Sequence, residues 1–152
     1  MANLLPRIYL DTTIPSAYYN DRQLERQQLT QRAWHEKLPN YHLVISNVTF
    51  KELGATTNRR KRKKLVALVR HVETCVTTAT CKLLANEYLK ILNIPENDAV
   101  HIATATMFNC EILLSWNFTH MVNSSNKQKI NALNALNGYN AITIISPLEL
   151  RG

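Results

Sequence analysis

Cysteine is scarce in this chain of 152 residues: three occur, Cys75, Cys81 and Cys110, and they form no Cys-x-x-Cys pair. An odd number of cysteines without that spacing argues against a disulfide framework and against a zinc knuckle. We therefore expect three buried, reduced thiols in a cytoplasmic protein.

Long apolar runs are also lacking, and none approaches the ~18 residues that a membrane-spanning helix needs. The first residues, Met-Ala-Asn-Leu-Leu-Pro-Arg, carry no basic region followed by an apolar core, so no signal peptide is expected. No internal repeat or linker interrupts the chain. These absences argue against a membrane protein and favour a single domain over residues 1–152.

Acidic residues are outnumbered, with 11 Asp and Glu against 18 Lys and Arg and a formal net charge of +7. A small basic protein suits a polyanionic partner, because each contact to a phosphate releases counterions. Hydrophobic residues make up 45% of the chain, an ordinary value that predicts a globular protein rather than a disordered one.

Five short apolar runs rich in β-forming residues predict strands, with helical periodicity between them. The predicted strands are Arg7–Leu10, Leu43–Ile45, Thr74–Thr78, Ile112–Leu114 and Ile142–Ile145. Strands that alternate with helices indicate βαβ units, and nearly continuous apolar strands fit a sheet covered on both faces. We predict an α/β fold, a three-layer α/β/α sandwich with a central parallel five-stranded sheet.

Capping residues and apolar stripes predict the helices. Ser46 is placed to cap a helix that Gly54 closes, and Pro95 stands where a proline of the first helical turn belongs, ahead of Ala99–Phe108. Three further helices follow from apolar residues at helical spacing. Their stripes are Leu65, Leu68, Val69 and Val72; Leu83, Leu84, Tyr88, Ile91 and Leu92; and Ile130, Leu133 and Leu136.

Polar residues stand where predicted strands end and helices begin. Asp11 directly follows the first strand, Glu52 lies near the start of the helix after the second, and Asp98 lies in the first turn of a later helix. Asn117 follows the fourth strand closely. Because strand ends and helix starts share one edge of an open parallel sheet, these four side chains are expected to converge there.

Converging carboxylates repel one another and resist ionisation unless a cation is present. Mg²⁺ and Mn²⁺ prefer such hard oxygen ligands and retain several waters. Each acid also has a purely structural explanation: Asp11 as a helix cap, Asp98 as a favourable charge at a helix N-terminus, and Glu52 as an exposed helix residue. Their shared placement is what favours a metal site.

Four segments resemble the PIN-domain nucleases, in order along nearly the whole chain. They are Tyr-Leu-Asp-Thr-Thr-Ile-Pro-Ser at 9–16, Ser46 with Glu52-Leu53, Asp-Ala-Val-His-Ile-Ala-Thr-Ala at 98–105, and Leu-Ser-Trp-Asn-Phe-Thr-His-Met-Val-Asn at 114–123. The chain is most similar to the VapC-like branch that carries a Ser-Trp-Asn-Phe-x-His motif. The resemblance implies a parallel five-stranded sheet and a metal-dependent endoribonuclease that leaves a 5′-phosphate and a 3′-hydroxyl.

The resemblance also implies roles for individual residues. Asp11, Glu52 and Asp98 match the first three acidic positions of the family and would hold Mg²⁺ or Mn²⁺. Asn117 stands where many relatives carry a fourth acid, and this departure disfavours a tightly held second ion. Toxin-like relatives are usually held by a small antitoxin, so an antitoxin partner and a homodimer are expected by resemblance.

Four neighbours of these residues are candidates for support. Ser115 and Thr12 would stand at the same sheet edge, with the Thr12 hydroxyl or amide near the metal. His101 follows Asp98 by three residues on one helix face, either as a substrate or carboxylate contact or, as we favour, as a buried histidine. His120 would donate to phosphate or pack behind Asn117. Trp116 is expected in the core rather than stacked on a base.

Six consecutive cations precede an apolar helical stripe: Arg59, Arg60, Lys61, Arg62, Lys63 and Lys64. At the start of a helix they oppose the macrodipole, which suggests a reason for their presence. One interpretation is contact with RNA phosphates. The other, equally open, is a solvated helix face.

Two other functional classes remain open from the residues alone. Carboxylates on a doubly wound sheet also suit phosphatases and phosphotransfer receivers, but receivers usually carry adjacent acids and a lysine at the last strand. Here Asp11 stands alone and the last strand ends in Ser146-Pro147. The second alternative is a degenerate PIN domain that binds RNA or a protein partner without cutting, which Asn117 would permit.

Overall fold

The computed structural model describes residues 4–151 and contains a central sheet of five strands. They are β1 (Arg7–Leu10), β2 (His42–Ser46), β3 (Glu73–Cys75), β4 (Ile112–Leu114) and β5 (Thr143–Ile145). The strand order is β3-β2-β1-β4-β5, and all neighbouring pairs are parallel. The predicted three-layer α/β sandwich is confirmed.

Helices connect these strands and cover both faces of the sheet. They are α1 (Thr13–Tyr18), α2 (Leu24–Glu36), α3 (Asn47–Gly54), α4 (Arg59–Leu68), α5 (Ala79–Leu89), α6 (Glu96–Met107) and α7 (Ser124–Leu136), with a short 3-10 turn at Leu38–Asn40. None of the helices formed within residues 4–151 combines the length and apolar character needed to cross a membrane.

Alternation along the strands divides the core into two halves. Tyr9 and Leu113 point to the layer formed by α5, α6 and α7. Ile8, Leu10 and Leu114 point to the opposite layer, which includes α1, α3 and α4. Successive side chains of a strand lie on opposite faces, so the central strands are buried on both sides. Cys75, Cys81 and Cys110 are all buried and free, as expected.

Strand boundaries differ from the prediction most at β3, which ends at Cys75 instead of Thr78. Residues 76–78 have the composition of a strand, but Val76 is 62% exposed and Thr78 accepts the backbone N–H of Cys81 to cap α5. A capping side chain needs a non-ladder position, so the strand stops earlier. β2 is longer than predicted, since His42 pairs with Arg7, and β5 begins one residue later at Thr143.

The helix start predicted at Ser46 is correct, whereas the one predicted at Pro95 is one residue too early. The Ser46 hydroxyl accepts the backbone N–H groups of Val48 (3.2 Å) and Thr49 (3.4 Å), so the predicted cap is confirmed. Pro95 is the residue before α6 rather than its first, and the helix begins at Glu96. Gly54 is the last residue of α3.

Three residues assigned to buried stripes are exposed instead: Leu83 (65%), Ile91 (44%) and Leu136 (83%). The inner face of α5 is set by Leu84 and Tyr88, which turns Leu83 outward. Ile91 lies beyond the end of α5, and Leu136 is the last residue of α7. The apolar stripes of these helices are wider than the faces that pack against the protein, so the stripes predicted more core residues than the structure buries.

Candidate active site

Sheet topology brings four separated segments to one edge. β1 and β4 are neighbours with Leu10 paired to Leu114, so Asp11 and Ser115 emerge side by side where these strands end. β2 lies on the other side of β1 and leads directly into α3, which carries Glu52. Asp98 is the third residue of α6. The predicted convergence at the carboxyl edge thus has a structural basis in the strand order.

Asp11 is 2% exposed and accepts only neutral donors within the described chain. Its Oδ1 accepts the Thr13 backbone N–H at 3.0 Å and the Thr13 hydroxyl, and its Oδ2 accepts the Ser115 hydroxyl at 2.7 Å. Burial raises the pKa of Asp11 to about 6, although these hydrogen bonds and the charge of His101 act in the opposite direction. Asp11 lies one residue before Thr12, the N-cap of α1, and its carboxylate accepts the backbone N–H of Thr13, the first residue of the helix. None of the ion pairs formed among residues 4–151 involves this carboxylate.

A chain of hydrogen bonds links Asp11 to Asp98. The Ser115 hydroxyl donates to Asp11 and accepts the backbone N–H of Asn117 at 2.9 Å. Asn117 Nδ2 donates to Asp98 Oδ2 at 3.0 Å, while Asn117 Oδ1 accepts the backbone N–H of His120 at 3.0 Å. The amide therefore directs its nitrogen at the carboxylate, and its oxygen is engaged by the backbone. This arrangement makes Asn117 a tether for Asp98.

Glu52 is held by a second, separate set of contacts. Its Oε1 lies 2.7 Å from Nε2 of His101, whose Nδ1 lies 2.6 Å from the Tyr9 hydroxyl. That hydroxyl also donates to Ser46 Oγ at 2.8 Å. His101 is 2% exposed, whereas the Glu52 side chain is about 33% exposed. The buried histidine that we favoured is present, and it also orients a candidate site carboxylate.

Tyr9 was not among the residues selected from the sequence. Its position in Arg-Ile-Tyr-Leu gave it the appearance of an apolar strand residue. The signal available was a hydroxyl in a fully buried strand two residues before Asp11, because buried tyrosine hydroxyls usually find a partner. Thr13 was missed similarly: its hydroxyl donates to Asp11 and accepts the Trp116 backbone N–H at 2.9 Å.

Asp98 and Glu52 lie close enough for their charges to interact. Burial raises the pKa of Asp98 most, and the negative charge of Glu52 raises it further. The bond from Asn117 and the charges of His120 and His101 lower it. The charge of Glu52 thus disfavours ionisation of Asp98, which is the behaviour expected of a carboxyl group at a cation site.

The remaining candidates take different places around this edge. The Thr12 hydroxyl is buried, and no residue from 4 to 151 offers it a hydrogen-bond partner. Ser115 is fully buried against Asp11. His120 is half-buried and contacts Asn117 through its backbone. Trp116 belongs to the core, as expected, and its Nε1 donates to Thr30 at 2.8 Å.

The donor chemistry of this edge fits a hard divalent cation, with water as a large part of its coordination. Within the described part of the chain, no three His, Cys, Asp or Glu side chains lie close enough together to hold an ion by themselves. Mg²⁺ commonly binds through one or two carboxylates and retains its waters. Two buried or half-buried aspartates whose pKa values are raised by burial are suitable anchors for such an ion.

The six cations are the first six residues of α4, and they do not belong to the acidic edge. The Asn58 side chain caps this helix by accepting the Lys61 backbone N–H at 3.0 Å. Arg62 donates to the carbonyl oxygen of Thr56 at 3.1 Å, which ties it to the preceding loop. α4 packs against both α1 and α3, the helices adjoining Asp11 and carrying Glu52.

A parallel sheet with carboxylates gathered at its carboxyl edge defines an α/β protein with an acidic site at the strand ends. Residues 8–117 match the family model described as the PIN domain, so the chain belongs to the PIN-domain family. The match covers the segments that contain Asp11, Glu52, Asp98 and Asn117. No curated protein matches the chain by sequence similarity.

Solved structures of VapC toxins and VapBC pairs share the fold. The VapC20 toxin of Mycobacterium tuberculosis, described as cleaving the sarcin-ricin loop, is 21% identical with a TM-score of 0.57, over 74% of this chain and 92% of that one. VapBC2 of Rickettsia felis, bound to a promoter DNA fragment, is 15% identical with a TM-score of 0.58, over 92% and 98%. VapBC-1 of nontypeable Haemophilus influenzae is 18% identical with a TM-score of 0.62, over 94% and 99%.

Proposed function

We propose that this protein is a VapC-like endoribonuclease that depends on Mg²⁺ or Mn²⁺ and cuts RNA phosphodiester bonds. The observation that carries the proposal is the pair Asp11 and Asp98, joined through Ser115 and Asn117 at the sheet edge. Glu52, held by His101, adds a third carboxylate whose charge acts on Asp98. Membership of the PIN-domain family supports nuclease chemistry at this edge.

The proposed mechanism assigns different tasks to the three acids. Asp11 and Asp98 would hold the cation, directly or through water, and Asn117 fixes the orientation of Asp98. When bound, the divalent ion would act as a Lewis acid and offset the negative charge that develops on the phosphate. Oε1 of Glu52 faces His101, and its Oε2, which has no hydrogen-bond partner among residues 4–151, would accept the proton of the attacking water. In-line attack then leaves a 5′-phosphate and a 3′-hydroxyl.

Cleavage of a single-stranded RNA in Mn²⁺ tests this assignment. Asp11→Asn and Asp98→Asn are each expected to reduce the rate at least about 100-fold, the scale of losing a well-placed charged group in catalysis. Glu96→Gln is the matched control, because Glu96 is an exposed acid in the same first turn as Asp98. Full activity of either aspartate variant would show that the site has been assigned wrongly.

We further propose that the enzyme is the toxin of a toxin–antitoxin pair and acts as a homodimer and single domain in the cytoplasm. The similarity of its fold to solved VapBC pairs supports this role. Induced expression should arrest growth of the host cell, and Asp11→Asn should relieve the arrest. Co-expression of the product of a short adjacent reading frame should do the same for the wild type.

The second candidate function is a degenerate PIN domain that binds RNA or a protein without cutting. It is favoured by Asn117, which brings no charge, and by the lack, among residues 4–151, of three acids or histidines placed to enclose an ion. Isothermal titration with Mn²⁺ separates the two functions. Binding to wild type no tighter than to Asp11→Asn would favour the degenerate domain.

A further inference from the structure

A groove lies between the end of α1 and the first turns of α4. We call it the α4 groove; its volume is about 230 Å³, and it is lined by Tyr19, Asp21, Asn58, Arg60, Lys61 and Lys64. Three of the six consecutive cations therefore line a concave surface next to an aromatic ring. The other three do not line it, so the run has two sides with different surroundings.

The groove is electrostatically positive, and its cations are unpaired by acids. Three cations stand against the single carboxylate of Asp21, which leaves 3 − 1 = +2, and Asp21 accepts a hydrogen bond from Gln27 at 2.9 Å. None of the ion pairs formed among residues 4–151 involves a cation of α4. These charges also oppose the helix dipole, so folding alone gives no reason for them.

Tyr19 supplies an aromatic surface within this positive groove. Lys64 Nζ lies 5.8 Å from the centre of the Tyr19 ring, and the Tyr18 and Tyr19 rings pack edge to face with their centres 4.8 Å apart. Single-stranded nucleic acids are held by the combination found here: cations along the backbone and an aromatic ring on which a base stacks. An acidic peptide would use the cations but would gain nothing specific from the ring.

The groove is connected to the acidic edge at both of its walls. Tyr19 directly follows α1, and the Asp11 carboxylate accepts the backbone N–H of Thr13, the residue at which that helix begins. Six helical residues span about 9 Å. α4 follows the helix that carries Glu52 and packs against it. A single strand of nucleic acid lying in the groove would therefore continue towards the candidate active site.

We infer that the α4 groove binds a single-stranded segment of RNA next to the scissile bond. Its three cations contact phosphates, and the Tyr19 ring stacks on a base. The inference rests on the proposed ribonuclease function for the identity of the ligand, but it concerns binding outside the carboxylates. Binding without metal therefore tests it separately from cleavage.

The helix offers a matched pair of variants. Arg60→Gln with Lys64→Gln removes two groove cations, and Arg59→Gln with Lys63→Gln removes the same residue types at the same spacing from exposed positions that do not line the groove. Both variants should fold, which circular dichroism and thermal unfolding can verify. Any difference between them in binding then reports position, since the net charge is equal.

The experiment measures the affinity of each full-length protein for a fluorescein-labelled 12-nucleotide oligouridylate in EDTA, from 0.05 to about 1 M salt. Losing two phosphate contacts to a single strand should reduce the slope of log K against log salt by about 1.4, a loss of about 25-fold at 0.1 M if the proteins agree at 1 M. The control pair should lose less than half of that slope. Equal losses from both pairs would overturn the groove.

Tyr19 gives an independent readout. Tyr19→Leu should weaken binding at least about fivefold without changing the salt slope, and Tyr19→Phe should retain the affinity. Equal binding of a polyglutamate peptide, with equal sensitivity to Tyr19→Leu, would assign the groove to a protein partner and overturn the inference. If wild type cleaves RNA while groove and control pairs bind alike, the groove fails and the nuclease stands; if wild type binds through the groove but never cleaves, the reverse holds.

Discussion

Asp11 is the residue at which fold and proposed chemistry conflict most directly. It is almost fully buried and accepts three hydrogen bonds from neutral donors, yet burial still raises its pKa from the ordinary 3.8 to about 6. A carboxyl group whose folded pKa is raised stabilises the fold when protonated. Its contribution is present below about pH 4 and is lost as the pH rises through about 6.

The first prediction follows from this sign. In EDTA, Asp11→Asn should be more stable than wild type at pH 7 by up to about 3 kcal/mol, from a shift of about two pKa units at 1.36 kcal/mol each. The advantage should shrink steadily between pH 6 and pH 4. Thermal or urea unfolding of both proteins at several pH values measures it. An advantage that does not vary with pH would contradict the burial argument.

Tyr9 supports the second prediction, because its hydroxyl contacts Nδ1 of His101, which in turn holds Glu52. Tyr9→Phe should leave a buried nitrogen without its partner and cost about 1–3 kcal/mol of stability. It should also lower kcat for RNA cleavage with little change in KM, since Glu52 loses its orientation.

Tyr88→Phe is the matched control for this effect. Tyr88 is another fully buried tyrosine on the same face of the sheet, and its hydroxyl donates to Asn134. A comparable loss of stability with unchanged kcat is expected there. If both variants lower kcat equally, the effect of Tyr9 is on the fold and not on Glu52.

At this scale, the sequence predicts where a side chain lies but not which partners it contacts, because those contacts depend on neighbours in the folded protein. The predicted strand ends and helix starts were enough to place Asp11, Glu52 and Asp98 at the sheet edge, because the position of these residues depends on chain order and on where the strands lie. The orientation of the Asn117 amide depends on Asp98 and on the His120 backbone, nineteen and three residues away. Such partners are set by packing, so the sequence could place Asn117 at the fourth acidic position of the family but could not predict that its amide orients Asp98.

At the scale of elements, the junction of β2 and α3 joins stability to the site. Ser46 is fully buried, caps α3 and accepts the Tyr9 hydroxyl that contacts His101. One side chain therefore starts the helix that carries Glu52 and supports the residues that orient it.

The third prediction compares two helix caps. Ser46→Ala and Thr78→Ala each remove an N-cap, of α3 and of α5, and should each cost about 0.5–2 kcal/mol in stability. Ser46→Ala should also reduce RNA cleavage, because Tyr9 loses its acceptor, whereas Thr78→Ala should leave the catalytic rate unchanged. Urea unfolding and initial rates measure the two effects. Equal rates in both variants would separate the α3 cap from the site.

The predicted element boundaries are wrong where a residue's local preference for a helix or strand competes with another role in the folded protein. Thr78 has a strand-forming side chain, but the structure uses its hydroxyl to cap α5. Leu83 and Leu136 fit helical stripes, yet each helix buries a narrower face than its apolar residues suggest. Ser46, by contrast, was predicted correctly because its capping partners are its own neighbours in sequence.

At the scale of the whole molecule, the candidate site depends on the position of β1 in the middle of the sheet. β1 pairs with β2 on one side and β4 on the other, so segments more than a hundred residues apart meet beside Asp11. The alternation of strands and helices predicted this parallel arrangement. The strand order itself depends on long-range packing, which local periodicity does not encode.

An ion held by Asp11 and Asp98 would connect β1 to α6 across the sheet edge, and this supports the last prediction. A ligand that binds only the folded state at 100 times its Kd adds about 2.7 kcal/mol, or roughly 5–10 °C in Tm for a domain of this size. We expect Mn²⁺ to give such a rise at pH 7.5, and a smaller one at pH 5, where protons compete for the carboxylates. Asp11→Asn and Asp98→Asn should lose most of the rise, while Glu96→Gln should retain it. A rise of equal size in all four proteins would place the Mn²⁺ elsewhere on the molecule and would separate metal binding from the acidic edge.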